Sequence, residues 1–176
     1  DDVESRGLGD VYKRQVVADV GQNQIWTCTE YKFRKEGRLL TSGGMGTMGY
    51  SVPAAIGAKM ADNSRATVAI CGDGAFQMSF MELATAVQFG VDIKVVVMTN
   101  NRLGMVRELQ TNGYHDRQTA VFLDGSPDFI KLAEAYGIPA MRVYDDDTME
   151  KGVEMLAEHK GICLVEVVVD KDMPTL

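Results

Sequence analysis

Ile70-Cys71-Gly72-Asp73-Gly74-Ala75-Phe76, answered further along by Val97-Met98-Thr99-Asn100-Asn101, is the part of the chain whose reading decides the fold. A mostly apolar run, Thr67 to Ile70, stops at a Gly-Asp-Gly turn, and a second, Val95 to Met98, stops at two asparagines. If both runs are strands of one parallel sheet, the segment between them is a right-handed helical crossover. Asp73 and Asn100 then stand at the carboxyl ends of neighbouring strands, roughly 5 Å apart across the ladder. Two side-chain oxygens at that separation can share one small cation. A hard carboxylate and an amide carbonyl suit magnesium, which keeps further positions for phosphate oxygens and water at about 2.1 Å. The glycines let a phosphate approach the backbone, and the amides opening the next helix can receive it. The plainer alternatives are a helix N-cap for Asp73 and a polar turn residue for Asn100.

Outward from this pair, strand and helix patterns alternate along the chain. Val16 to Val20 reads as a short buried strand ending at Gly21, Gln22 to Tyr31 as a short helix or loop, and Arg38 to Thr41 as the lead into a glycine-rich block. Tyr50 to Met60 reads as a helix with Pro53 in its first turn. Thr67 to Cys71 is an expected strand, and Met78 to Phe89 a helix closed by Gly90, with Phe80, Leu83, Ala84 and Val87 on one face. A strand over Ile93 to Met98, a helix over Leu103 to Gln110 and a long polar loop from Thr111 to Ser126 follow. A helix over Asp128 to Tyr136, a strand over Ala140 to Val143, a helix over Asp147 to Glu158 and a last strand over Cys163 to Val169 complete the pattern. This alternation predicts an α/β fold, a doubly wound and mainly parallel sheet with helices on both faces. Such sheets bind ligands outside the carboxyl ends of their strands, where the loops after Val20, Cys71 and Met98 all fall.

At 176 residues the chain is one domain's worth, with 45% hydrophobic residues to build a single core. Its net charge of −7 argues against nucleic acid and anionic membrane as partners. The same charge bears on the cation. A diphosphate carries about two to three negative charges and a helix amino terminus offers only about half a positive one, so an acidic domain needs a divalent ion to hold it. Cys28, Cys71 and Cys163 show no metal-ligand spacing, and a reduced, cytoplasmic protein is the simplest expectation. His115 and His159 are too scattered for a zinc site. No apolar run reaches the length of a membrane span. Asp10-Val11-Tyr12-Lys13-Arg14-Gln15 matches the translation of a transposase adapter used in DNA sequencing. Residues 1–15 are therefore expected to be non-native or disordered, and residues 16–176 to form the domain, a piece of a longer enzyme.

Three further blocks join the first pair. Ser42-Gly43-Gly44-Met45-Gly46-Thr47-Met48-Gly49-Tyr50-Ser51-Val52-Pro53-Ala54-Ala55-Ile56-Gly57-Ala58 precedes it, Asp19-Val20-Gly21-Gln22-Asn23-Gln24 lies further upstream, and Leu103-Gly104-Met105-Val106-Arg107 follows the asparagines. In order and spacing these blocks resemble the carboxy-terminal, diphosphate-binding domain of the acetolactate synthase large catalytic subunit, a thiamine diphosphate enzyme. The resemblance runs from about Val16 to Asp170. It implies the thiamine diphosphate-binding fold, with thiamine diphosphate and magnesium as cofactors; flavin adenine dinucleotide belongs to the complete enzymes and is held mostly outside this chain. It implies Asp73, Asn100 and the backbone carbonyl of Arg102 as metal ligands, with Asn101 the rival to Asn100. It implies Gly74 and Ala75 on the diphosphate, and Val20, Gly21, Gln22 and Asn23 closing over the far phosphate. Gly104 and Met105 fall in the segment that completes the cofactor site. The carbonyl of Gly46 and the amide of Met48 are expected on the aminopyrimidine ring, with the Met48 side chain wedged beneath the cofactor to bend it; core filling is its plainer reading.

The chain departs from the family at several positions. Thr99 stands for the first of the usual asparagine pair, Ala75 for a common serine, Asn23 for a histidine, Ser51 for a glycine, and Leu109 for a tryptophan that shapes the acceptor pocket. Leu109 is read either as part of the substrate pocket or as a core leucine on a short helix. Glu82 receives no catalytic role. The glutamate that activates the cofactor comes, in the family, from the pyrimidine-binding domain of a partner subunit, and no matching motif is present here. The function implied is decarboxylation of pyruvate and transfer of its two-carbon unit to a second 2-keto acid, a step of branched-chain amino-acid biosynthesis. The implied assembly is a homodimer or tetramer with a small regulatory subunit. Two other readings stand beside it: another thiamine diphosphate-dependent decarboxylase, carboligase or pyruvate oxidase, and a non-catalytic cofactor-binding fragment. A dinucleotide-binding domain lacks its Gly-x-Gly-x-x-Gly after the first strand.

Overall fold

The computed structural model describes residues 14–32 and 37–175. Residues 1–13, most of the stretch read as adapter-derived, lie outside the described residues. Six strands form one parallel sheet: β1 (Arg14–Ala18), β2 (Arg38–Thr41), β3 (Ala66–Gly72), β4 (Ile93–Thr99), β5 (Ala140–Val143) and β6 (Cys163–Val168), in the order β2-β1-β3-β4-β6-β5. The first strand begins two residues before the expected boundary. Arg14 pairs with Ala66, and Gln15 pairs with Thr67 while its side-chain amide donates to the Ala58 carbonyl and the Thr67 hydroxyl. The helices are α1 (Gln22–Glu30), α2 (Ser51–Ala61), α3 (Asp73–Phe76), α4 (Leu83–Gln88), α5 (Gly104–Gly113), α6 (Phe129–Ala135) and α7 (Asp146–Glu158). No helix among the described residues is long and apolar enough to cross a membrane.

The sheet carries the core because its central strands are apolar on both faces. All but one residue of β4 are buried, the pattern of a strand covered by helices above and below. Val52, Ala55 and Ile56 of α2, Leu83 and Ala86 of α4, and Phe129 and Ala133 of α6 close over it. Phe76 and Phe129 meet edge to face, with ring centroids 5.3 Å apart.

The expected single helix from Met78 to Phe89 is instead broken. The four residues of α3 follow β3 directly, a 3₁₀ turn occupies Phe80–Glu82, and only then does α4 begin. A turn of three residues rotates the following helix out of the phase of a continuous 3.6-residue period. The buried positions are therefore Leu83 and Ala86, while Ala84 and Val87, expected inside, are exposed. The polar stretch after Gln110 is likewise not loop throughout, because α5 runs on to Gly113. The remainder doubles back on the turn after β4: the Leu103 amide donates to the Val121 carbonyl (2.9 Å) and the Leu123 amide to that of Asn101 (2.9 Å). His115, Asp116 and Ala120 hold left-handed backbone along the way.

Connections leave β1 in two senses: β2 lies on one side and β3 on the other. β1 and β3 stay paired to their carboxyl ends, and the crevice lies at the loops that follow them, where open α/β sheets bind ligands.

Candidate functional site

Asp73 is the first residue of α3, at the tip of β3, and its side chain is 1% exposed. It is not the N-cap, a place taken by Gly72. Its carboxylate reaches across to the next strand tip. Oδ2 accepts from the amides of Asn100 (3.2 Å) and Asn101 (2.6 Å), and Oδ1 from the Gly74 amide (2.8 Å). Burial pushes the carboxyl above its ordinary range, opposed by those amide bonds. Among the described residues Asp73 makes no ion pair. A carboxylate has about four lone-pair positions; three amides leave room for one more partner.

Asn100 is oriented by two bonds. Its Oδ1 accepts from the Arg102 amide (3.1 Å), and its Nδ2 donates to Gln22 Oε1 (3.0 Å). Asn101 turns the chain at φ 54°, is exposed, and lines the neighbouring cleft rather than the crevice that Asn100 lines. The Arg102 guanidinium points away from Asp73, held by Asp124 (2.8 Å) and stacked 4.7 Å over the Phe122 ring.

The crevice has a volume of about 90 Å³ and is lined by Val20, Gly21, Gln22, Asn23, Met48, Asp73, Gly74, Ala75, Asn100, Arg102, Gly104 and Met105, together with Gly72, Trp26, Met98, Leu103, Val106 and Val169. Every residue read from the sequence as contacting the cofactor is in it except Gly46, which is exposed in the preceding loop at φ 64°. Close approach explains two glycines. A Cβ on Gly74 would stand 2.7 Å from Leu103 Cδ2 and 3.3 Å from Met48 Cε, and one on Gly104 would fall 1.8 Å from Gln22 Oε1. The Gly74 amide is taken by Asp73, so it does not point into the crevice as the sequence reading expected. The Asn23 amide nitrogen is likewise committed, donating to the carbonyls of Asp19 (2.9 Å) and Ile70 (3.2 Å) and bridging the tips of β1 and β3. Leu109 is 61% exposed on α5 and lines no part of the crevice; the same exposure removes the core-leucine reading.

Two features were not read from the sequence. Trp26, one helical turn after Gln22, faces the crevice, and the i, i+4 spacing carried that signal. The segment 173–175 binds across α1 and α5: Gln22 Nε2 donates to the Met173 carbonyl (3.0 Å) and Glu108 (2.9 Å), Trp26 Nε1 to the Pro174 carbonyl (3.3 Å), and Thr175 to Glu108. No local pattern announces those contacts.

A second, larger cleft of about 590 Å³ lies at the carboxyl ends of β4, β6 and β5. Its two arginines are already paired: Arg142 with Glu166 (2.6 Å) and Asp128 (2.9 Å), and Arg102 with Asp124 (2.8 Å). In the smaller crevice Arg102 is taken by Asp124, and the buried carboxylate of Asp73 has no ion pair among the described residues. Among the described residues no group of three His, Cys, Asp or Glu side chains is placed to hold a metal ion. An ion at Asp73 would therefore complete its shell with amide and backbone oxygens, phosphate and water, a set that suits magnesium and not zinc. The residues present thus fit a metal-bound diphosphate.

Residues 19–167 match the family described as thiamine pyrophosphate enzyme, C-terminal TPP binding domain. The chain is 42% identical over 164 residues to the mitochondrial acetolactate synthase catalytic subunit of Aspergillus candidus, covering 93% of this chain and 24% of that protein. It is 42% identical over 156 residues to the acetolactate synthase large subunit of Lactococcus lactis, covering 89% of this chain and 27% of that protein. With the isozyme 3 large subunit of Escherichia coli the identity is 38% over 165 residues, 92% of this chain and 28% of the other. The chain thus spans about a quarter of the length of these curated relatives.

Proposed function

We propose, from the premise that this chain belongs to the family of C-terminal thiamine pyrophosphate-binding domains, that it is the diphosphate-binding part of an acetolactate synthase. The complete protein would decarboxylate pyruvate and join the two-carbon unit to a second 2-keto acid. The observation that carries this reading is the crevice at the β1/β3 switch point, where the sequence blocks converge on a buried carboxylate that has no cation of its own.

Asp73 would give magnesium its one remaining oxygen position, Asn100 its amide oxygen and Arg102 its carbonyl. Gln22, by holding the Asn100 amide nitrogen, fixes which way that amide faces; its oxygen accepts one bond, from the Arg102 amide, and its second lone pair would serve the ion. Thiamine diphosphate, when bound, supplies the electron sink on which a 2-keto acid loses carbon dioxide. The chain's own part is to bind, orient and wall off one side. A volume of about 90 Å³ is small beside the roughly 300–1,000 Å³ of a complete ligand pocket, which supports a second wall from the pyrimidine-binding domain of a partner subunit. Met45, on the loop that carries Met48, and Met78, against Gly49 of that loop, are exposed, as is Met81 three residues after Met78, and they give that domain an apolar surface. A homodimer or larger assembly, a flavin bound outside this chain and a regulatory subunit belong to the same reading. So does a reducing, cytoplasmic setting, supported by the free thiols of Cys28, Cys71 and Cys163.

Two measurements test the proposal. Trp26 is the only tryptophan and lines the crevice, so its fluorescence reports occupancy. Thiamine diphosphate should change that signal with magnesium present and lose the effect on chelation, and Asp73→Ala should abolish saturable binding. Retained affinity in that variant, or binding indifferent to magnesium, refutes the metal site. For the activity, this chain replaces the matching quarter of the Lactococcus lactis subunit. The chimera should form acetolactate from pyruvate; one that binds cofactor yet releases only acetaldehyde or acetate would point to another enzyme of the family.

A further inference from the structure

Asp19 follows β1 and is completely buried, yet it lines no part of the crevice. Among the described residues it has no ion-pair partner. Its carboxylate instead accepts three backbone amides, one from the turn after β1 and two from residues 49–51. Oδ1 accepts from Val20 (2.8 Å) and Gly49 (2.9 Å), and Oδ2 from Ser51 (2.7 Å). Its main chain is tied equally firmly: the amide donates to the Ile70 carbonyl of β3 (2.8 Å), and the carbonyl accepts from Asn23 (2.9 Å). Residues 42–50 have neither helix nor strand to hold them. At their start the Ser42 carbonyl accepts from Gly46 (3.0 Å) and its hydroxyl from Thr47 (3.1 Å); at their end the hold is Asp19. Gly49 turns there at φ 85°, and a Cβ on it would stand 3.0 Å from Met78 Cβ. Met48 sits between that pinned glycine and the crevice, its methyl close to Gly74.

We infer that Asp19 is a positioning residue that sets the distance between the two ends of the cofactor site. One buried anion binds the Val20 amide, on the loop beside the diphosphate end, the Gly49 amide, on the loop that presents Gly46 and Met48 to the ring end, and the Ser51 amide, at the start of the helix that follows that loop. The inference rests on the proposed thiamine diphosphate site. A carboxylate is required because three N–H donors converge on it. An asparagine of the same shape keeps one oxygen and sets its amide hydrogens against a backbone N–H, losing a charge-assisted bond.

The test compares thiamine diphosphate with inorganic pyrophosphate, both with magnesium and both read by Trp26 fluorescence on the 176-residue chain. Asp19→Asn should weaken thiamine diphosphate about tenfold or more and leave magnesium pyrophosphate within about twofold, because Asp73 and its neighbours are untouched. A general loss of structure would move both ligands together. Equal losses for the two, or no loss for either, overturns the role of Asp19 while the cofactor reading stands. A wild-type chain that binds neither ligand overturns the cofactor reading and this inference with it. Should the variant not fold, amide hydrogen exchange on the wild-type chain decides. Gly49 and Ser51 should exchange as slowly as the amides of the central strands, and exchange as fast as that of exposed Gly44 overturns the inference.

Discussion

A single added methyl group shows how tightly the site residues depend on one another. Gly104 opens α5 with Gln22 Oε1 where its Cβ would be, 1.8 Å away. Alanine is the better helix former by about 1 kcal/mol, so helix propensity alone predicts a gain in stability. The obstructing atom is the end of a flexible side chain, so Gln22 is displaced and the backbone stays. Gln22 is also the residue that holds Asn100 and Met173. Gly104→Ala should therefore leave the melting temperature nearly unchanged while weakening magnesium-dependent binding of thiamine diphosphate by about tenfold, the value of a lost hydrogen bond to a metal-orienting group. Unaltered affinity in a fluorescence titration would show that Gln22 does not orient Asn100 in solution.

Among the secondary-structure elements, α7 is set unusually close to the sheet. Gly152 is buried in mid-helix, and a Cβ there would lie 2.9 Å from Val143 Cγ2 and 3.3 Å from Val165 Cγ1. Both neighbours are β-branched and stiff, so neither can swing aside as Gln22 can. Overpacking of this kind costs about 1–3 kcal/mol, against about 1 kcal/mol gained by removing a helical glycine. Gly152→Ala should lower the melting temperature by about 2–4 °C without changing cofactor affinity, since α7 borders no part of the crevice. A higher melting temperature would mean that the helix shifts outward freely. The 3₁₀ turn between α3 and α4 works at the same scale. By rotating α4 it turns Leu83 and Ala86 inward and leaves Val87 outside; Met81, in the turn itself, is exposed.

At the scale of the whole molecule, that outward face meets the argument about incompleteness. On the proposed reading, a crevice of about 90 Å³ with one buried carboxylate in its lining would be one wall of a site. Met81→Glu would place a charge on the surface assigned to the partner subunit's pyrimidine-binding domain, where an unpaired buried ion is costly. The isolated chain should still fold and bind magnesium thiamine diphosphate with unaltered affinity. In the Lactococcus lactis chimera the same change should reduce acetolactate formation at least tenfold, with subunit dissociation visible by sedimentation. A chimera of full activity would move the partner's docking surface elsewhere.

The sequence by itself determined the alternation of strands and helices, the strand tips that carry Asp73 and Asn100, and twelve of the eighteen residues that line the crevice. These rest on local information: apolar periodicity, glycine at close backbone approaches, and motifs whose spacing reflects one crossover. Only the tertiary structure decided that Gln22 holds Asn100 and the 173–175 segment, that Leu109 faces outward, that the Asn23 amide nitrogen is spent on carbonyls, and that Asp19 joins two loops. Asp19 and Gly49 lie thirty residues apart along the chain. Which donors converge on a buried carboxylate depends on where separate loops come to rest once the sheet is wound, and no periodicity in the chain encodes that.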